Sequence, residues 1–173
     1  MALSPILRVC LFIDGDRVVS QEATGTTLIL RSILTFLIVS ISSPFAVSAE
    51  PFDLIICGSG GEPEFDTRFE DWGGRLRDAL INELNHPAAN VHLLTSSGEH
   101  ADGISTIQEI REIFGRVAES TTPNDDLFVY LIGHGNYRRK TAKLNLPGPD
   151  MSAEDLDAML LSVPAARTVL VNG

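Results

Sequence analysis

The chain has 173 residues, 44% apolar and 21% charged, which is ordinary for a globular protein and enough for one domain with a real core. Its net charge of −10 argues against nucleic acid as a partner, because tracking phosphates takes clustered Lys and Arg. The two cysteines, Cys10 and Cys57, build neither a disulfide framework nor a zinc site, and nothing in the pattern asks for a cofactor.

Residues 1–25 carry no domain pattern and are left unassigned. Residues 26–49 read as an export signal. Arg31 precedes an apolar core over residues 33–41, Pro44 breaks it, and Val47 and Ala49 are the small residues of a cleavage site. That core is short of the roughly 20 residues a membrane span needs. The expectation is therefore cleavage after Ala49 and a secreted or periplasmic product with no stable membrane insertion; a retained anchor is the alternative. A signal placed this far into the chain implies a translation start assigned too far upstream, with initiation between Val18 and Leu28. The mature part would keep Cys57 alone and form no internal disulfide.

From residue 50 onward, strand and helix patterns alternate. "FDLIIC" (residues 52–57) is a short apolar run closed by "GSGG", a strand running into a turn. Over residues 67–84, Phe69, Trp72, Leu76, Ala79, Leu80 and Leu84 recur at helical spacing. "NVHLL" (90–94) is a second strand. Ser105 and Gln108 form a candidate capping box, followed by the helical stripe Ile107, Ile110, Phe114 and Val117. "LFVYLI" (127–132) is continuously apolar, as expected of a strand covered on both faces. After it comes a polar loop containing "YRRK". Ser152 and Asp155 start a further helix with Leu156, Met159, Leu160 and Val163 on its apolar face, which Pro164 ends; "TVLV" (168–171) is a fourth strand. This order implies an α/β three-layer sandwich, with a mostly parallel central sheet flanked by helices. In such sheets, working groups collect at the carboxyl ends of the strands. "GSGG", "GHGN" and "VNG" all fall there.

"GSGG" is a poor dinucleotide loop, because Pro63 occupies the third glycine position. It is no phosphate loop and no nucleophile elbow. It stays open between a plain turn and a loop lining a ligand site. "GHG" is more telling. His134 emerges at the sheet rim between two glycines that leave backbone N–H groups unshielded. An imidazole there can act as general base and then acid, and an adjacent N–H can stabilise an oxyanion. His86, His92 and His100 have no metal-ligand spacing and receive no role. "YRRK" reads as a solvated loop, too short for a phosphate-tracking patch.

"FDLIICGSGG", "DDLFVYLIGHGN", a helix and then "RTVLVNG" together resemble the clan of caspase- and legumain-like cysteine peptidases, with the legumain (haemoglobinase-type) family the nearer match. The resemblance covers about residues 52–173 and makes residues 50–173 the N-terminal part of such a domain, with a caspase-like fold incomplete at its C-terminal side. It implies an exported thiol protease acting on a peptide or protein substrate, with His134 as base and Gly135 as oxyanion donor. The nucleophile would lie about two residues past Gly173, so the chain by itself would be inactive. Arg68 and Gly60 are the residues it puts against substrate. A guanidinium suits an Asn- or Asp-accepting pocket, and the alternative for Arg68 is an ordinary surface arginine. Two departures stand out: Gly133 replaces the usual Asp or Ser before the histidine, and Gly60 replaces an asparagine that orients it. They favour a non-catalytic binding or scaffold domain as the rival reading. A different doubly wound protein, with "GSGG" at a small-ligand site, is a further alternative. Cys57, at the end of the first strand, reads as a small buried hydrophobe and not as the nucleophile.

Overall fold

A computed structural model describes residues 49–138 and 140–173. The expected leader, Ala49 apart, and the unassigned residues before it lie outside the described residues.

The first strand, β1 (Pro51–Cys57), is buried at every position but Pro51. A strand without a polar face must have neighbours on both edges and layers on both faces, and β1 has them. It pairs in parallel with β2 (Val91–Thr95) on one side. On the other it pairs with β4 (Asp126–Ile132), in register from Pro51 opposite Asp126 to Cys57 opposite Ile132. The short β3 (Gly103–Ile104) extends the sheet beyond β2, and β8 (Arg167–Asn172) extends it beyond β4. The order is β3-β2-β1-β4-β8, parallel throughout.

Helices cover both faces. α1 (Pro63–Asn82) starts with proline at its first position and Glu64 and Asp66 in its first turn, both favoured by the exposed N–H groups and positive dipole of a helix start. It packs Phe69 and Leu80 against Ile55, Cys57, Val91 and Leu93. α2 (Ile107–Ser120) and α3 (Ala153–Leu160) lie on the opposite face. There Ile110, Phe114, Val117, Leu156 and Met159 meet Phe52, Leu54, Ile56, Leu127, Val129 and Leu131. The described residues thus form an α/β three-layer arrangement around a five-stranded parallel sheet. No helix among the described residues is long and apolar enough to cross a membrane.

Several expectations change. The strand buried on both faces is β1; β4 alternates, with Leu127, Val129 and Leu131 buried and Phe128, Tyr130 and Ile132 only partly so. The cause is coverage: α1 alone occupies that face, and it sits over β1 and β2. The first helix begins at Pro63, four residues before the expected span of 67–84, and Trp72 and Leu84 stay exposed. Ser105 caps nothing. Thr106 is the N-cap of α2, accepting from the Glu109 N–H at 3.3 Å, while the buried Ser105 hydroxyl donates to the Cys57 carbonyl at 2.6 Å. The capping box of α3 is formed by Ser152 and Asp155, as the sequence predicts.

The polar loop after His134 is the largest correction. It folds as β5 (Gly135–Arg138), β6 (Thr141–Leu144) and β7 (Met151–Ser152), a separate antiparallel sheet in the order β5-β6-β7. Lys140, at φ 68°, sits in the turn of the first hairpin. Leu144 and Met151 are buried in the same core as α3, and that burial organises an otherwise polar segment. At the far side of the main sheet β8 is exposed along its whole length, including the apolar Val169, Leu170 and Val171. A long apolar edge of this kind is prone to pair with other strands.

Candidate active site

The carboxyl ends of β1, β4 and β8 are tied together by main-chain hydrogen bonds. The Gly58 N–H donates to Ile132 O at 2.9 Å and continues the β1–β4 ladder into the "GSGG" turn. The Ser59 N–H donates to Asn145 O at 2.8 Å, and the Asn145 N–H donates to His134 O at 2.9 Å. The Gly173 N–H donates to Leu131 O at 3.0 Å, so β8 leaves the sheet alongside the end of β4. Gly133 packs on the first turn: a Cβ there would stand 3.2 Å from both Gly58 Cα and Gly58 N. This close approach gives a packing reason for glycine before the histidine.

The imidazole of His134 lies on the α1 side. Its centroid is 4.8 Å from that of Phe65, with the planes at 58°, and 5.1 Å from that of Phe69, edge-on at 83°. Such aromatic pairs contribute about 0.5–1.5 kcal/mol each beyond burial. The His134 residue as a whole remains exposed. Among the described residues, no side chain hydrogen-bonds either ring nitrogen, so no carboxylate fixes the tautomer.

Gly135 begins β5 opposite Leu144. The bond from Asn145 N to His134 O flanks that pair and makes it one of the ladder's non-hydrogen-bonded pairs, so the Gly135 N–H points away from β6. Gly133 and Gly135 also line a cavity of about 490 Å³ with Leu131, Leu144, Leu156 and Leu170. That cavity lies on the α3 side of the sheet. The corner between β4 and β5 therefore shows an imidazole to one face and glycine backbone to the other.

Gly60 sits beside the imidazole's support. Its N–H donates to Asp66 Oδ1 at 2.7 Å, and an added Cβ would run into the Phe65 Cβ. Arg68 is on the same turn of α1. It pairs with Glu64 at 2.8 Å and holds its guanidinium 5.5 Å from the Phe65 ring centroid. Its side chain is about half exposed, as suits an arginine on a helix surface and equally one that reaches a ligand. Cys57 is completely buried, with its thiol donating to Phe69 O at 3.2 Å. Burial, reinforced by the nearby Glu70 carboxylate, pushes that thiol up to about 12, which excludes a resting thiolate.

Two groups escaped the sequence reading. Phe65 is one, although an aromatic pair at i and i+4 in "FDTRF" is a visible signal. The other lies toward the amino end of the sheet. Asp53 is fully buried in β1, its Oδ2 2.6 Å from His86 Nδ1, and the Tyr130 hydroxyl donates to its Oδ1 at 3.5 Å. Burial holds the Asp53 carboxyl above its usual range, and the His86 hydrogen bond only partly opposes this. The charged residue inside the apolar run "FDLIIC" was the clue, because buried carboxylates nearly always have partners. His86 therefore has a structural role where none was expected. It is far from His134 along the strands, since Asp53 pairs with Phe128 in β4 and His134 lies beyond Ile132. Among the described residues, no group of three His, Cys, Asp or Glu side chains is placed to hold a metal ion.

Compared with known proteins, the chain matches no family model, and no curated protein matches it significantly.

Proposed function

We propose that residues 50–173 are the N-terminal part of a caspase/legumain-like domain, and that the domain is an exported cysteine-type endopeptidase. His134 is its general base. The Gly135 N–H is its oxyanion donor. The nucleophile is carried on the continuation of β8, about two residues past Gly173 by the spacing of the motif. The thiolate attacks the peptide carbonyl, its proton having gone to His134, which then returns it to the leaving amine. Arg68 and the Gly60 turn contact substrate, with Arg68 facing an Asn or Asp side chain once released from Glu64.

One observation carries this reading. β8 is the parallel neighbour of β4, and its Gly173 N–H is bonded to Leu131 O, three residues before the histidine. Residues following Gly173 would continue in register alongside His134 at the end of β4, the neighbourhood in which a nucleophile–base pair is assembled. The test is to express the chain extended through its reading frame and assay an Asn- or Asp-directed peptide reporter. Activity is expected, and His134→Ala should lower kcat by about 100-fold or more. Unchanged activity in that variant would refute the assignment.

A non-catalytic binding or scaffold domain is the second reading. It is favoured by the imidazole resting on Phe65 and Phe69 with no hydrogen-bonding side-chain partner among the described residues. It predicts no turnover of any reporter by the extended protein.

A further inference from the structure

We infer that Phe65 and Phe69 are positioning residues that hold the His134 imidazole by ring contact, in place of the hydrogen-bonding side chain that would otherwise orient it. The inference rests on the proposed role of His134 as base.

An exposed histidine at the tip of a strand is ordinarily free to turn about its side-chain bonds. A base has to be held in one orientation to work. Here two rings of α1 hold it from different directions, Phe65 tilted and Phe69 edge-on, and they are one helical turn apart. Phe69 is itself anchored, 5% exposed within the core under α1. Its centroid is 6.3 Å from that of Phe65, so the three rings form one cluster and not two separate contacts.

The main chain of His134 is fixed independently through Asn145. The rings therefore act on the side chain's rotamer. They set where the ring nitrogens point and leave both nitrogens unengaged. They do not choose the tautomer, which a hydrogen-bonding partner would.

Gly60 belongs to the same device. The Gly60 N–H is satisfied by the Asp66 carboxylate on the first turn of α1, which draws the "GSGG" turn against Phe65. With a Cβ at residue 60 colliding with the Phe65 Cβ, any side chain there displaces the ring that supports the histidine. A polar orienting residue at position 60 and an aromatic support from Phe65 are mutually exclusive in this geometry.

The experiment has two arms. In the 173-residue chain, the imidazole carbon-bound protons of His134 are followed by NMR in the parent, Phe65→Leu, Phe65→Tyr and Gly60→Ala. Phe65 is only partly buried, so its replacement leaves the core under α1 in place. The parent signals should be displaced by ring currents. They should move toward free-histidine positions in Phe65→Leu, shift in Gly60→Ala and hold in Phe65→Tyr. In the extended, active protein, Phe65→Leu should lower kcat by about 10- to 100-fold with KM nearly unchanged, and Phe65→Tyr should restore most of it. Imidazole signals indifferent to Phe65→Leu in a variant with the parent's melting temperature would overturn the inference. So would a kcat equal to the parent's. An extended parent with no peptidase activity would fail the peptidase reading instead, and the NMR arm would still decide whether the rings hold the histidine.

Discussion

Asp53→Ala should be among the most destabilising single changes in this domain. Asp53 has no exposed surface, and its carboxylate lies 2.6 Å from His86 and 3.5 Å from the Tyr130 hydroxyl. Removing it strands an imidazole and a phenol against the half-covered face of β4 and opens a void beside β1. Breaking a buried pair by deleting one partner costs about 3–5 kcal/mol. His86 keeps 18% of its side chain exposed, so water relieves part of the loss and about 3 kcal/mol is the better figure. With a urea dependence of about 2 kcal/mol per molar, the unfolding midpoint should fall by about 1.5 M. Asp53→Asn adds a pH test. Burial raises the native Asp53 pKa above its ordinary 3.8, so the folded protein binds this proton more tightly than the unfolded chain. The stability from that linkage is complete below 3.8 and is lost as pH rises through the raised native value. The stability of the parent relative to Asp53→Asn should therefore decline as pH increases from about 4. Urea unfolding followed by circular dichroism across that range measures both effects. An Asp53→Ala variant within about 0.5 kcal/mol of the parent, or a relative stability that grows with pH, would refute the reasoning.

The Cys57 thiol, completely buried and raised to about 12, should resist iodoacetamide in the native chain near neutral pH and react once urea unfolds it; rapid native alkylation mapped to its peptide would contradict the packing. Gly73→Ala should destabilise although alanine favours helix. The helical gain is about 1 kcal/mol, while a new methyl against Cys57 Sγ and 2.9 Å from Leu93 Cδ1 overpacks the core at a cost of about 1–3 kcal/mol. A melting temperature at or above the parent's would mean that α1 can move away from the sheet freely.

The elements that the sequence announced are those whose own residues decide them. β1, β2, β4 and β8 are each apolar runs bounded by turn residues, and α2 is a clean stripe of Ile110, Phe114 and Val117, with Ile113 beside it. Ser152 and Asp155 marked the start of α3 because a capping box is a local device, complete within four residues. The same locality explains one miss. Thr106, one residue after Ser105, is as good a cap, and what separates them is the Cys57 carbonyl 48 residues away that claims the Ser105 hydroxyl.

By itself the sequence determined the α/β class, the order of the strands β1, β2, β4 and β8 with the three helices between them, and the placing of His134 at the carboxyl end of an apolar strand. These follow from hydrophobic period, caps and glycine turns, all short-range properties. Only the tertiary structure decided how that histidine is surrounded. Phe65 and Phe69 come from a helix some 65 residues earlier in the chain, and nothing local to "GHG" says that their rings meet the imidazole. The antiparallel sheet after His134 depended on distant burial as well, since "YRRK" is polar and its strands are held by Leu144 and Met151 packing into the core under α3. The Asp53–His86 pair spans 33 residues and exists because the parallel fold returns the chain past the start of β1. Contacts between residues far apart in sequence are chosen by which faces the assembled layers leave to be covered. A one-dimensional pattern names the faces, and only the assembled layers say what covers them.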